Sequence, residues 1–179
     1  SLGYNVTGVD LSKNSINTAK AYENDTLQFH VHDMRVPYAQ KFDAVFNLFT
    51  SFGYFDDEND NIKALQAIQK SLNDTGFGVL DFMNVDYIIE HLVPEETKTV
   101  EHIDFHIKRF VKDGFIYKEI RFTDAGKSHF YTEKVQAITL NDFERYFEQA
   151  GINLLAIFGD YKLHTFYPNT SKRLILLFK

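Results

Sequence analysis

The chain has 179 residues, 44% of them hydrophobic and 25% charged, with a net charge of -6 and no cysteine. That length gives one domain, or one domain with an insert, around a real core. The negative balance speaks against a nucleic-acid binder, which needs a basic face, and the lack of cysteine removes disulfides, thiol nucleophiles and thiolate metal sites. No apolar run reaches membrane-spanning length, so no membrane partner is expected, and the missing cysteine fits an expected cytoplasmic location. Aromatics make up 16% of the chain, with 18 Phe and 10 Tyr, ample for a ring-lined pocket.

Residues 1–4, Ser-Leu-Gly-Tyr, read as the tail of a helix with Gly3 as its left-handed stop. Val6-Thr7-Gly8-Val9 is a strand that ends in Asp10, and Ser12 caps a helix over 13–23 with Ile16, Ala19 and Tyr22 spaced along it. Residues 27–32 alternate as a second strand and again end in an acid, Asp33. Residues 41–47 form a third strand, followed by the aromatic loop 48–55. A helix then runs to about residue 72, with Ile62, Leu65 and Ile68 on one face. Asn73-Asp74-Thr75-Gly76 reads as a turn before a fourth strand over 77–82.

This alternation predicts a doubly wound parallel sheet. The rhythm breaks at Asn84. A short helix over 86–92 precedes three expected strands, 99–110, 114–123 and 128–138, with hairpin signals at Lys112-Asp113-Gly114 and Asp124-Ala125-Gly126-Lys127. Thr139 caps a helix over 140–149 closed by Gly151, and strands over 152–158 and 173–178 flank a loop over 159–171. The expected division is an α/β core of 1–84 and 139–179 with an antiparallel insert of 85–138.

In an open parallel sheet, strand ends on one edge share a ligand. Asp10 can accept from both hydroxyls of a ribose there, or it can simply cap its helix. Leu11 can lie against a purine face, and Asp33 with the Met34 amide can read an adenine edge. The loop Phe49-Thr50-Ser51-Phe52-Gly53-Tyr54-Phe55 offers ring faces that attract a sulfonium or a cationic amine. Tyr54 is its acceptor-site candidate, while Phe49 and Phe55 are expected to fill core. His30 with His32, and His102 with His106, have spacings that can chelate a metal, but the remaining ligands are missing, so no metal site is expected. Arg109, Arg121, Tyr131 and Tyr161 are candidates to line an acceptor pocket, and His164 in the last loop is a candidate base.

The successive runs Val-Thr-Gly-Val-Asp-Leu-Ser, Phe-His-Val-His-Asp-Met-Arg and Lys-Phe-Asp-Ala-Val-Phe-Asn-Leu-Phe-Thr-Ser-Phe-Gly-Tyr-Phe resemble motifs of class I S-adenosylmethionine-dependent methyltransferases. The resemblance covers nearly the whole chain and points to a small-molecule subgroup with an antiparallel insert. It implies a Rossmann-like sheet and S-adenosylmethionine as cofactor. It also implies Asp10 on the ribose, Leu11 on adenine, Asp33 and Met34 on the adenine amino edge, and Asn47 and Leu48 under the methionine and sulfonium part. The family's glycine-rich loop between its first strand and first helix is not found before Val6. A truncated or rearranged N-terminal region is therefore expected, with two strands set apart from the rest and weak cofactor binding. The expected activity is methyl transfer to a small-molecule acceptor, with a homodimer left open. The alternatives are a degenerate domain acting by association and, less well supported for want of a catalytic Tyr-Lys pair, a nicotinamide-dependent oxidoreductase.

Overall fold

The computed structural model describes residues 3–179. The helix tail expected at 1–4 lies in part outside the described residues, although Gly3 does have a φ of 80°. The strand β1 (Val6–Asp10) leads into α1 (Lys13–Ala19), a 3-10 turn (Lys20–Tyr22) and β2 (Leu27–Val31). Ser12 caps α1 by accepting from the Ser15 amide. β1 and β2 pair in parallel, from Val6↔Leu27 to Asp10↔Val31. Glycine is required at position 8, because a Cβ there would come within 2.5 Å of the Phe29 ring.

β3 (Phe42–Asn47), α2 (Glu58–Ser71) and β4 (Leu72–Met83) follow. The turn expected at 73–76 is instead the bulged start of β4. Phe42 pairs with Leu72 but Ala44 with Phe77, and the extra residues are held to β3 by bonds from Asn73 Nδ2 to Asp43 and from Lys41 Nζ to the Leu72 carbonyl. Turn-forming residue types thus sit in a β-bulge, where their preferences serve equally well.

After α3 (Val85–Glu90) comes an antiparallel meander of β5 (Glu95–Val100), β6 (Ile103–Lys112), β7 (Phe115–Asp124) and β8 (Lys127–Gln136). The two expected hairpins are present, with left-handed Asp113-Gly114 and Ala125-Gly126 at their tips. A third was not foreseen. The run expected as one strand over 99–110 turns back at Glu101 and His102, whose φ values of 48° and 70° are left-handed without any glycine to announce them.

α4 (Leu140–Ala150) starts with a reciprocal Thr139–Asp142 capping box and stops at left-handed Gly151. β9 (Leu154–Phe158) and β10 (Arg173–Phe178) complete the main sheet, whose order is β3-β4-β10-β9. β3 and β4 are parallel, and β10 runs antiparallel to both β4 and β9. The carboxyl ends of β3, β4 and β9 therefore share one edge with the start of β10. The core lies between this sheet and α2 and α4, around Phe52, Phe82, Phe143, Phe147, Phe178, Leu80 and Leu176. Gly78 lets the Phe178 ring approach β4 closely, since a Cβ there would come within 2.2 Å of the ring.

The α/β class is as the sequence implies. So is the separation of β1–β2 from the main sheet: among the described residues, neither β1 on the side away from β2 nor β3 on the side away from β4 has a ladder partner. The two parts are joined through the segment after β2. Met34 packs on the main core, the Tyr38 amide donates to Ser71 Oγ, and Arg35 reaches Asp60 on α2. No helix among the described residues is long and apolar enough to cross a membrane.

Candidate active site

Asp10 and Asp33 lie on the same rim. Their strands are parallel neighbours, Asp10 ends β1, its carbonyl accepts from the His32 amide, and Asp33 follows directly. Among the described residues the Asp10 carboxylate takes one hydrogen bond, from the Ser12 amide to Oδ1 at 2.7 Å, while the cap of α1 is Ser12 itself, so Asp10 is not the helix cap and its Oδ2 is open to a ligand. Leu11 is 67% exposed beside it.

Asp33 is not free in the same way. Arg35 Nε and Nη2 grip both of its oxygens, at 2.6–3.2 Å, and the Arg35 amide adds a further bond to Oδ1. These bonds hold the carboxyl at about 2, well below the ordinary 3.8. Arg35 also donates to Asp60 and lies 5.1 Å from the centre of the Phe55 ring. The sequence motif contains Arg35, but its bridge to an acid 25 residues away is invisible in one dimension. Met34 sends its side chain toward the core, leaving only its backbone for the rim.

Asn47 ends β3, and its Oδ1 is buried with no hydrogen-bond partner. A buried acceptor left unpaired costs about 1–3 kcal/mol, and among the described residues Asn61 Oδ1 is in the same condition. Leu48 next to it is partly exposed. Phe49 and Thr50 then both take left-handed backbone, with φ of 58° and 61°. Phe49 is 75% exposed, which corrects its expected place in the core. The loop reverses at this point, and Phe52 turns inward, with no exposure at all. Phe55 does pack against the core, while Tyr54 is exposed. Partial burial, and then the charge of Glu133, push the Tyr54 phenol up.

Sequence reasoning missed Asp81. It is 1% exposed in β4. Its Oδ2 accepts from the Phe49 amide at 2.8 Å and the Tyr161 hydroxyl at 3.1 Å, and its Oδ1 accepts from Arg173 Nε at 2.7 Å. Arg173 also donates to Thr50 Oγ1. The available signal was an acid inside the apolar run Val79-Leu80-Asp81-Phe82, since a buried carboxylate needs a charged partner. Tyr161 and Phe49 meet edge to face, with ring centres 6.3 Å apart. Desolvation, with the bond to Asp81, pushes the Tyr161 phenol up. His164 Nδ1 is 2.7 Å from Asp160 Oδ2, and this contact holds the Asp160 carboxyl below its usual range.

The meander candidates separate. By register, Arg109 and Tyr131 share one face and Arg121 lies on the other. Arg109 is bound to Glu96 at 2.6 Å. Tyr131 stacks with Phe122 and His129, and Arg121 lies over Phe130. None of the three is hydrogen-bonded to Tyr161 or His164 among the described residues. Of the histidines, His32 Nε2 is bonded to the Val36 carbonyl, His106 to Thr97, and His102 sits in the unforeseen turn.

The family model described as "Methyltransferase domain" matches residues 1–76. No curated protein matches the sequence. A solved S-adenosylmethionine-dependent methyltransferase from Clostridium acetobutylicum is similar in structure, with a TM-score of 0.85 at 19% identity over 98% of this chain and 74% of that one. The CcbJ methyltransferase from Streptomyces caelestis gives 0.84 at 12% identity, over 99% and 75%. CalS10, an amino pentose methyltransferase from Micromonospora echinaspora, gives 0.73 at 18% identity, over 97% and 72%.

The chain thus has the fold of the class I S-adenosylmethionine-dependent methyltransferases. Residues 1–76, the part that matches the methyltransferase-domain model, carry both rim acids and Asn47.

Proposed function

We propose that the chain transfers a methyl group from S-adenosylmethionine to a small-molecule acceptor. The observation that carries this reading is the pair Asp10 and Asp33 at the carboxyl ends of the parallel neighbours β1 and β2, together with the buried, unpartnered Asn47 Oδ1 at the carboxyl end of β3. The donor set fits the cofactor. Asp10 keeps Oδ2 for a ribose hydroxyl, Leu11 offers an apolar surface to a purine, Asn47 waits for an ammonium or hydroxyl donor, and Leu48 lies against the chain that joins them. Asp33, with its oxygens held by Arg35, orients the Met34 amide toward an adenine ring nitrogen and keeps only limited capacity for the amino group. The cofactor supplies an electrophilic methyl group on a sulfonium. The protein's part is to hold an acceptor in line with it in a site shielded from water.

The acceptor side falls to Phe49, Tyr54 and Tyr161, with His164 held by Asp160 as the candidate base. Exposed ring faces attract a cationic amine, and three of the similar structures are named for methylation of an amino pentose, for sugar N-methylation and for glycopeptide N-methylation. An amine on a small molecule is the acceptor we favour. The net charge of -6 supports a small or cationic acceptor over a polyanion, and the absence of cysteine supports a cytoplasmic setting. Arg109 and Tyr131 remain candidate acceptor contacts on the meander face that also bears Glu133, the charge felt by Tyr54.

Cofactor affinity is expected to be weak. The acids sit on β1–β2 and Asn47 on the main sheet, and among the described residues no backbone ladder fixes one to the other. Binding must then order the two parts, which lowers affinity. Calorimetric titration with S-adenosylhomocysteine tests this, and micromolar affinity would refute the weakness. Incubation with methyl-labelled S-adenosylmethionine and a panel of amino sugars tests the activity. Label transfer that vanishes in Asp10→Ala supports the reading, and no transfer to any amine or hydroxyl acceptor at saturating cofactor sinks it.

A further inference from the structure

We propose that Asp81 is a positioning residue that couples the cofactor half of the ligand edge to the acceptor half; this rests on the cofactor reading above. A single oxygen, Asp81 Oδ2, accepts both from the Phe49 amide at 2.8 Å and from the Tyr161 hydroxyl at 3.1 Å. The Phe49 amide directly follows Asn47 and Leu48, the residues assigned to the cofactor. Tyr161 belongs to the β9–β10 loop, with His164 three residues on. Asp81 is buried and its other oxygen is locked by Arg173, so the carboxylate cannot swing to follow one partner and abandon the other.

The loop it holds has little freedom of its own. Phe49 and Thr50 are non-glycine residues in left-handed backbone, a conformation that persists only when neighbours enforce it. The Asp81 carbonyl accepts the Thr50 amide at 3.0 Å, and Arg173 reaches Thr50 Oγ1 at 3.1 Å. The far end of the β9–β10 loop is tied separately, by Asn84 Nδ2 donating to the carbonyls of Pro168 and Ser171. Its near end closes on itself, with the Gly159 amide donating to the His164 carbonyl and the Leu163 amide to the Asp160 carbonyl, and the Tyr161 hydroxyl is what ties this exposed turn to Asp81. A ligand pressed against Asn47 and Leu48 fixes the Phe49 amide, the amide fixes Oδ2, and Oδ2 fixes Tyr161. Cofactor occupancy thereby sets the rings of Phe49 and Tyr161, the corner against which an acceptor is placed.

Hydrogen–deuterium exchange on the whole chain, with and without millimolar S-adenosylhomocysteine, tests the coupling. In the native sequence, S-adenosylhomocysteine should slow exchange roughly threefold or more both at residues 47–50 and at residues 159–164. Tyr161→Phe keeps the ring and loses only the hydroxyl bond, so it should retain the slowing at 47–50 and lose it at 159–164. A variant that merely weakened the fold would instead speed exchange with or without S-adenosylhomocysteine. Slowing confined to 47–50 in the native chain overturns the coupling and leaves the cofactor reading intact, as does undiminished slowing at 159–164 in Tyr161→Phe. No slowing at 10–12 or 47–50 overturns the cofactor reading and this inference together.

Discussion

Replacing Asp81 with alanine should be among the most damaging single changes in the main sheet. The carboxylate is 1% exposed and serves three side-chain or backbone donors. Tyr161 can turn its hydroxyl to water, so that loss is small. The Phe49 amide loses its acceptor, at a cost of about 1 kcal/mol. The Arg173 guanidinium loses its counter-charge. A fully buried orphaned charge costs about 3–5 kcal/mol, but the Arg173 side chain is 21% exposed, which reduces the penalty to about 2–3 kcal/mol. The sum, about 3–4 kcal/mol, should lower Tm by about 6–16 °C for a chain of this size. Urea unfolding followed by circular dichroism measures it. In Asp81→Ala combined with Arg173→Met the orphaned charge is gone, and about half the loss should be recovered. A single variant within about 1 kcal/mol of the native chain, or a double variant as unstable as the sum of the two singles, would refute the reasoning.

Asn47→Leu removes an unpaired acceptor, so it should leave stability unchanged or raise it by about 1 kcal/mol while abolishing the rise in Tm on adding S-adenosylhomocysteine; a thermal scan reads both. Asp10→Ala, at an exposed rim with one local bond, should cost about 1 kcal/mol or less as a lost hydrogen bond but weaken S-adenosylhomocysteine binding at least about tenfold by calorimetry. Arg35→Ala should return the Asp33 carboxyl from about 2 toward 3.8 in an NMR titration. Because the folded value is the lower one, the stability that Asp33 contributes is present above the ordinary value and lost as pH falls from 3.8 through 2; the variant should lose that part of the acid slope. Gly78→Ala puts a methyl group 2.2 Å from the buried Phe178 ring and should cost about 1–3 kcal/mol in urea unfolding.

The parallel half of the fold was legible because its signals are local. A β-branched run, an acid and a capping serine specify β1, the rim and α1 within eight residues, and Thr139 with Gly151 brackets α4. The meander was legible where glycine marked the turns and not at Glu101-His102, where two ordinary residues take left-handed backbone. The stretch 72–76 failed for the opposite reason, since turn-forming types were used for a bulge held by long-range bonds to β3. In the site, Asp10 and Leu11 were reached from strand-end position and Asn47 from the family resemblance. The grip of Arg35 on Asp33 and the Asp81–Arg173–Tyr161 group do not, because their partners lie on strands and loops that only the folded sheet makes neighbours. Phe49 was misplaced because composition favours a buried phenylalanine, whereas the left-handed kink turns it outward.

The central claim is that one ligand spans the carboxyl ends of β1, β2 and β3. Amide chemical-shift mapping during titration with S-adenosylhomocysteine into the millimolar range tests it directly, even if binding is weak. The account predicts that Asp10–Ser12, Asp33–Met34 and Asn47–Phe49 shift together along one saturating curve. Shifts confined to the meander, or separate curves for the three segments, would contradict it.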